Sequence, residues 1–334
     1  MDSGYLWLDG NGVTYPETGF VATLDDDYII SLPMKLQKGI DYRLRYDVLN
    51  VTMTGEKMEV LLGTEQAVNG SEQTIVEPYV LSTTDHTESH VFSVAEDGTY
   101  TLMFHAVTVG NSINICLDNI GVDVYAAFEG PGPVTNAKVE AGAEGAMTNT
   151  LTFTTPAVTY KGETLEQLSS IEIYRNGDKK PAKVFENPAI GESLTWTDEE
   201  MPAGEVEYRI LPFNDNGQGE EVITKNWVGL DIPVNVELVK YFMDENLKAN
   251  VEWTAVGNVG AHGGYVNPAN VKYTLCRYDE WGWDNHWPAV TEPSADTKAV
   301  DTEYHITALK EGWILRLQVK SRGNRPLLVV SDCK

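Results

Sequence analysis

The sequence predicts an all-β protein made of tandem β-sandwiches, and three observations carry that prediction. Stretches such as YRLRYDVL (42–49), KMEVLLGT (57–64), YTLMFHAV (100–107) and INICLDNIGVDVY (113–125) are short, rich in β-branched and aromatic residues, and bounded by turn residues. Gly and Pro gather in AAFEGPGPVT (126–135) and NWVGLDIP (226–233), which read as short linkers between compact units. A repeat then spans the second half. At 334 residues the chain has room for two or three domains, and the linkers set expected bounds of 1–128, 129–229 and 230–334.

The first unit carries DDDYIISLPMKL (25–36). Successive side chains of an extended chain alternate sides, so Asp25 and Asp27 share one side and Asp26 points away. Two readings stay open. The acids are the solvated entry to a strand whose buried stripe is Tyr28, Ile30 and Leu32, with Pro33 ending the pairing. Alternatively, Asp25 and Asp27 help hold a hard cation, which needs six to eight oxygens. Further on, His86 and His90 bracket Glu88, a spacing that would place both rings on one face of a helix. DHTESHVFSV reads instead as loop into strand, so these histidines are expected as solvated loop residues. His105, inside YTLMFHAV, is expected to be a packed and hydrogen-bonded strand residue.

In the second unit the one helix-like stretch is GETLEQLSS (162–170), about two turns that would fit as a loop insert. The repeat matches LTFTTP (151–156) with VEWTA (251–255), IEIYRNGD (171–178) with YTLCRYDE (273–280), and EYRILPFNDNGQG (207–219) with WILRLQVKSRGNR (313–325). The offsets are about 100, 102 and 106 residues, one domain length each. In each copy an early strand carries a large aromatic residue, Phe153 or Trp253, and a late strand ends in a Gly turn.

The third unit holds EWGWDNHW (280–287). On an extended segment Trp281, Trp283 and Trp287 would project to one side, flanked by Asp284, Asn285 and His286. Aromatic faces stack on the apolar faces of pyranose rings while short polar groups satisfy hydroxyls, so such a platform suits a sugar. The other reading is that the tryptophans pack against a neighbouring strand or domain.

Charge and motifs exclude several classes. The net charge is −26. Residues 1–128 hold 19 acids and 5 bases, 129–229 hold 17 and 8, and 230–334 hold 14 and 11. A field of that sign repels phosphate backbones, so no nucleic-acid partner is expected. No run of 18 apolar residues occurs, so no transmembrane segment is expected. The start, MDSGYLWLDG, lacks the basic and apolar regions of a signal peptide, which fits a chain that stays inside or one whose leader has been removed. Cys116, Cys276 and Cys333 have no metal-ligand spacing, although Cys276 and Cys333 could pair if the fold brings them together. No Walker loop, GxSxG or HExxH is present, and catalysis has no support in the sequence.

The second and third units resemble fibronectin type III domains. The first of these carries the resemblance best, through Phe153, I-x-I-Y-R (171–175) and YRILPFNDNGQG (208–219). The other departs from it at Trp313–Arg316, at Arg322 and in a longer loop, GAHGGYVNPANVKYTL (260–275). DDDYIISLPMKLQKGIDYRLRYDV (25–48), EVLLGTEQ (59–66) and DGTYTLMFHAV…INICLDNIGV (97–122) are similar to the galactose-binding-like jelly rolls of secreted surface proteins of gut and oral Gram-negative anaerobes, such as the cleaved-adhesin domains of gingipains. These resemblances imply a jelly-roll β-sandwich followed by two immunoglobulin-like sandwiches. They imply a secreted or cell-surface adhesion module that binds carbohydrate or an extracellular protein, or else a spacer of a larger secreted peptidase or glycosidase. Related jelly rolls often hold structural calcium, with a carboxylate near Asp118, although Asp118-Asn119 stands where the family commonly shows two aspartates. Such domains also open with a strand and an acidic loop expected before residue 5, which implies that the chain has been cut or that its true start lies upstream.

Overall fold

The structure is a computed structural model. It describes residues 28–50, 55–107, 115–199, 201–246, 248–276, 289 and 291–300, together with the backbone alone of short strands outside these ranges. Among the described residues the regular structure is antiparallel β-strand, apart from two short 3-10 turns at Ala143–Gly145 and Pro268–Asn270.

In the first unit, β1 (Leu6–Leu8), β2 (Val21–Ala22), β3 (Tyr28–Ile30), β4 (Met34–Leu36) and β5 (Ile40–Asn50) precede β6 (Lys57–Gly63) and β7 (Gln73–Val80). Then come β8 (His86–Ser93), β9 (Gly98–Ala106) and β10 (Ile115–Ala127). One sheet runs β1-β10-β5-β8 and the other β2-β3-β9-β6-β7, with β4 also pairing β9. Alternation drives the packing. On β5 the side chains of Tyr42, Leu44, Tyr46 and Val48 are buried in the core between the sheets, where Leu102, Phe104 and Ala106 of β9 meet them. Each such fully buried side chain stabilises by about 1.5–3 kcal/mol.

The stretch DDDYIISLPMKL corrects the expected stripe. Tyr28, Ile29 and Ile30 are all buried, whereas Leu32 is exposed. The sheet is covered on both faces at this point. Ile29 enters the main core, while Tyr28 and Ile30 form a second cluster with Leu61 and Met103 on the opposite face. Asp25 and Asp27 lie outside the described residues.

The second unit has β11 (Thr135–Ala141), β12 (Asn149–Thr154), β13 (Ser170–Arg175), β14 (Lys183–Glu186), β15 (Ser193–Asp198), β16 (Gly204–Asn214), β17 (Gly217–Gln218) and β18 (Val222–Val228). Sheet β11-β12-β15 faces sheet β14-β13-β16, and β17 and β18 both pair with β16. Phe153, Ile171, Ile173 and Tyr208 fill the space between them. The helix expected over GETLEQLSS does not form. Gly162 sits at φ 88°, Thr164 bridges back to Val158, and Leu165 and Leu168 are buried in the core. A segment this short has little intrinsic helicity, so burial of two leucines decides its path.

The third unit has β19 (Leu238–Met243), β20 (Ala249–Trp253), β21 (Lys272–Arg277), β22 (Asp279–Trp281), β23 (Asp284–His286), β24 (Lys298–Asp301), β25 (Arg316–Arg322) and β26 (Ser331–Asp332). The repeat reappears as topology. β20 lies between β19 and β24 as β12 lies between β11 and β15, and β21 pairs β25 as β13 pairs β16. Trp253 is buried with Tyr273 and Leu275, in the role that Phe153 has in the second unit. Cys276 is buried on β21, while Cys333 lies outside the described residues.

Candidate functional site

Where the first unit meets the second, the linker is stitched to both sides. Phe128 N donates to Gly39 O (2.8 Å) in the first unit, and Tyr160 N donates to Gly130 O (2.7 Å) from the second. Gln218 Nε2 donates to Val124 O (3.0 Å) and Asn214 Nδ2 to Glu129 O (2.8 Å). Two glycines permit this approach. A Cβ on Gly219 would lie 2.0 Å from Pro131 O, and one on Gly130 would lie 2.5 Å from Gln218 O.

Charge completes the seam. Arg43 and Arg45 project from the outer face of β5 and both reach Asp123, at 2.6 Å and 3.1 Å. Arg43 also meets Glu221, whose other oxygen accepts Arg209 Nε at 2.9 Å. Burial pushes the Glu221 carboxyl up, but the hydrogen bonds and charges of Arg43 and Arg209 outweigh it and hold the group below the usual carboxylate range. Asp41 accepts Tyr160 Oη (3.0 Å) and Lys161 Nζ (2.8 Å). Tyr125 donates to Glu220 at 2.8 Å, and burial first, then that carboxylate, pushes its phenol up to about 12.

Beside this seam lies a cavity of ≈590 Å³, open to solvent and walled by Phe128 and Glu129 of the linker, Thr159–Gln167 of the loop that failed to become a helix, and the 214–216 turn. A second hollow of ≈420 Å³ shares Phe128, Glu129 and Asn216 and adds residues 37–40 and Asp97 from the end of the first unit. Together they make a groove that needs both units. Its wall offers amides (Gln167, Asn214, Asn216), hydroxyls (Thr159, Thr164), carboxylates and one aromatic ring. The Lys161 ammonium lies 4.3 Å from the centre of the Phe128 ring and is paired with Asp41. This is donor–acceptor chemistry for hydroxyl-rich ligands.

The sequence-predicted residues fall elsewhere. Trp281 ends β22 and Asp284 begins β23, and the two are paired as antiparallel partners, as are Glu280 with Asn285 and Asp279 with His286. Asp279–Trp281 and Asp284–His286 thus run antiparallel to one another. Trp283 and Trp287 lie outside the described residues. The β22–β23 hairpin forms its own two-stranded sheet.

For the cation reading, Asp118 is on β10 directly opposite Asp47 on β5. Asp118 Oδ1 accepts its neighbour Asn119 N (2.7 Å), while Asp47 accepts Asn119 Nδ2 (2.6 Å) and Thr87 Oγ1 (2.5 Å). These bonds, from Asn119 first, hold the Asp47 carboxyl below its usual range. Among the described residues no group of three or more His, Cys, Asp or Glu is arranged to hold a metal ion, and Asp25 and Asp27, the other acids of the cation reading, lie outside them.

The histidines need one correction. His86 and His90 lie on strand β8, half-buried, rather than in a solvated loop. Alternate strand positions share a face, so His86, Glu88 and His90 line up. His86 Nε2 is 3.0 Å and His90 Nε2 3.3 Å from the two Glu88 oxygens. The line continues to Tyr46, whose hydroxyl is 3.0 Å from that of Tyr79. Burial pushes the Tyr79 phenol up to about 12. His105 is a packed strand residue as expected, stacked on Tyr28 at 4.0 Å and bonded through Nδ1 to Glu59 Oε1 at 2.6 Å.

No protein family matches the chain, and neither does any curated protein. Solved structures do match, three of them as follows. A CBM4 domain has a TM-score of 0.27 at 15% identity, covering 36% of this chain and 94% of its own. The N-terminal cellulose-binding domain of β-1,4-glucanase C from Cellulomonas fimi has a TM-score of 0.26 at 15% identity, covering 37% and 90%. The glycoside hydrolase domain of Endo-D from Streptococcus pneumoniae R6 has a TM-score of 0.24 at 12% identity, covering 60% and 31%.

Proposed function

We propose that the chain is a non-catalytic, secreted or cell-surface binding protein for carbohydrate. In this reading a jelly roll (1–128) is followed by two fibronectin type III-like sandwiches (129–229 and 230–334). The observation that carries the reading is the composite groove, in which amides, hydroxyls and one ring line a concave wall at a unit junction. Residues 281–287 are a second candidate surface for the same ligand class or for an extracellular protein. Structural calcium and an adhesive role are parts of the same proposal. The stitching at the seam favours one further reading, a stiff spacer in a larger secreted peptidase or glycosidase.

A glycan array run on the whole chain, with calcium and again with EDTA, tests this. The expected result is a reproducible hit that Asn216→Ala and Thr164→Ala weaken while the melting temperature holds. A hit lost instead in Trp283→Ala moves the site to the hairpin, and one lost only in EDTA brings Asp25, Asp27 and Asp118 into the site. A blank array under both conditions leaves the spacer reading.

A further inference from the structure

The linker NWVGLDIP and the long loop GAHGGYVNPANVKYTL, singled out separately in the sequence, grip each other. The carboxylate of Asp231 is fully enclosed. Its Oδ2 accepts His262 N (2.7 Å) and Gly264 N (3.1 Å), and its Oδ1 accepts Ile232 N (2.7 Å) and His262 Nδ1 (2.8 Å). A carboxylate has about four lone-pair sites, and here each meets a donor. The His262 ring lies flat on the Trp227 indole, with centroids 4.3 Å apart and planes 14° from parallel, and Trp227 Nε1 donates to Leu230 O at 3.2 Å. Backbone bonds frame the grip, from Asp231 N to Tyr265 O (2.8 Å) and from Ala261 N to Ile232 O (2.9 Å). The loop approaches this closely because it has glycine at two places. A Cβ on Gly260 would stand 2.4 Å from Asp231 Oδ2, and one on Gly264 would stand 2.1 Å from Trp227 Cδ1.

We propose that Asp231 is the pin of a latch that holds the third unit at a fixed angle to the second, and that protonating its carboxyl opens the latch. A proton on either oxygen would face an N–H donor, so at least one bond must break, and the rest lose the charge that roughly doubles their strength. Among the described residues, the elements packed at the pin bring the following titratable groups. The loop brings His262 and Tyr265, and the 143–147 turn brings Glu144, whose side chain is exposed. β18 brings Trp227, which does not titrate. His262 faces the pin through Nδ1, which donates to Asp231 Oδ1. Burial pushes the Asp231 carboxyl up, but His262 and the backbone donors outweigh it and hold the group below its ordinary range. The latch is therefore closed at neutral pH and opens only as the pH falls below that range.

The test uses the whole chain with chymotrypsin, which cuts after Trp227 and Leu230, alongside small-angle X-ray scattering. At pH 7 the wild type is expected to resist cleavage in 226–233, and Asp231→Asn to be cut at least tenfold faster with a larger radius of gyration. Gly264→Ala, which attacks the grip from the loop side, is expected to match it. Near-ultraviolet circular dichroism identifies any variant that fails to fold, and the remaining variant and wild-type scattering on acidification then decide. Wild-type cleavage and scattering in the folded variants would overturn the latch. An opening midpoint near pH 6–7 that His262→Ala moves would overturn the assignment of the switch to Asp231.

Discussion

Arg43, on the outer face of the first unit, rests its guanidinium on Glu221 of the second, and Arg209 holds that carboxylate from the other side at 2.9 Å. Both members of the pair are buried, with side chains 10% and 5% exposed. A buried pair contributes little over an apolar replacement, but losing one partner leaves a charge stranded.

Glu221→Ala is therefore expected to cost about 3 kcal/mol, the lower end for breaking a buried pair because Asp123 still faces Arg43. Urea denaturation measures this, and Arg43→Met combined with Glu221→Met is expected to recover part of the loss. A cost below about 1 kcal/mol would mean that the seam is solvated.

The same carboxyl sets an acid limit. Its folded value lies below the ordinary 4.5, so its contribution is complete above pH 4.5 and is lost as the pH falls through the folded value. In Glu221→Gln this part of the acid dependence is expected to vanish, as read from melting temperature against pH.

His86 has the opposite sign. Its Nδ1 lies 2.9 Å from Thr84 O and its Nε2 3.0 Å from Glu88, so both nitrogens face acceptors. The Thr84 carbonyl has the largest effect and raises the imidazole above its ordinary 6.5; burial opposes it, and Glu88 adds to the rise. The stabilisation is complete below pH 6.5 and fades as the pH rises through the raised value. An NMR titration is expected to place the His86 midpoint above 6.5 and to move it downward in Glu88→Gln.

In the second core, Tyr208 is fully buried, donates to Asp198 Oδ2 at 3.0 Å and accepts Asn149 Nδ2 at 3.1 Å. Tyr208→Phe removes one bond from each partner, while Asp198 keeps Arg175 and Asn149 keeps Asn226, and it is expected to cost about 1–3 kcal/mol in denaturant unfolding.

Thr274 poses the reverse case. Its hydroxyl is buried on β21 and has no hydrogen-bond partner among the described residues. Thr274→Val keeps the shape and removes the orphan, and is expected to raise stability by about 1 kcal/mol. A loss of stability would reveal a partner for the hydroxyl.

These outcomes separate what the chain shows locally from what only the fold reveals. Strand periodicity and the matched aromatics Phe153 and Trp253 are local signals, and the structure uses them as read. Burial on both faces at Tyr28–Ile30 is not local, because alternation describes a strand with one wet face. HTESH reads as polar until its alternate residues meet Tyr46 and Tyr79 from other strands. Leu165 and Leu168 have helical spacing, yet a core some distance along the chain claims them. The groove was illegible for the same reason. Its walls come from residues 37–40, 97, 127–129, 159–167 and 214–216, and no motif spans such gaps.

The glycine-lined seam at 128–132 also sets rules for transplantation. Gly130 and Gly219 sit where a methyl group would strike the opposite backbone, and Glu220 N reaches back to Pro131 O at 3.1 Å. One residue added to or removed from the linker would put every one of these bonds out of step. The joint tolerates no change of length, although its composition reads like a flexible tether. A graft that swaps either neighbour must carry 126–132, 158–161 and 217–221 as one piece, because the heritable boundary runs around the joint and not through it.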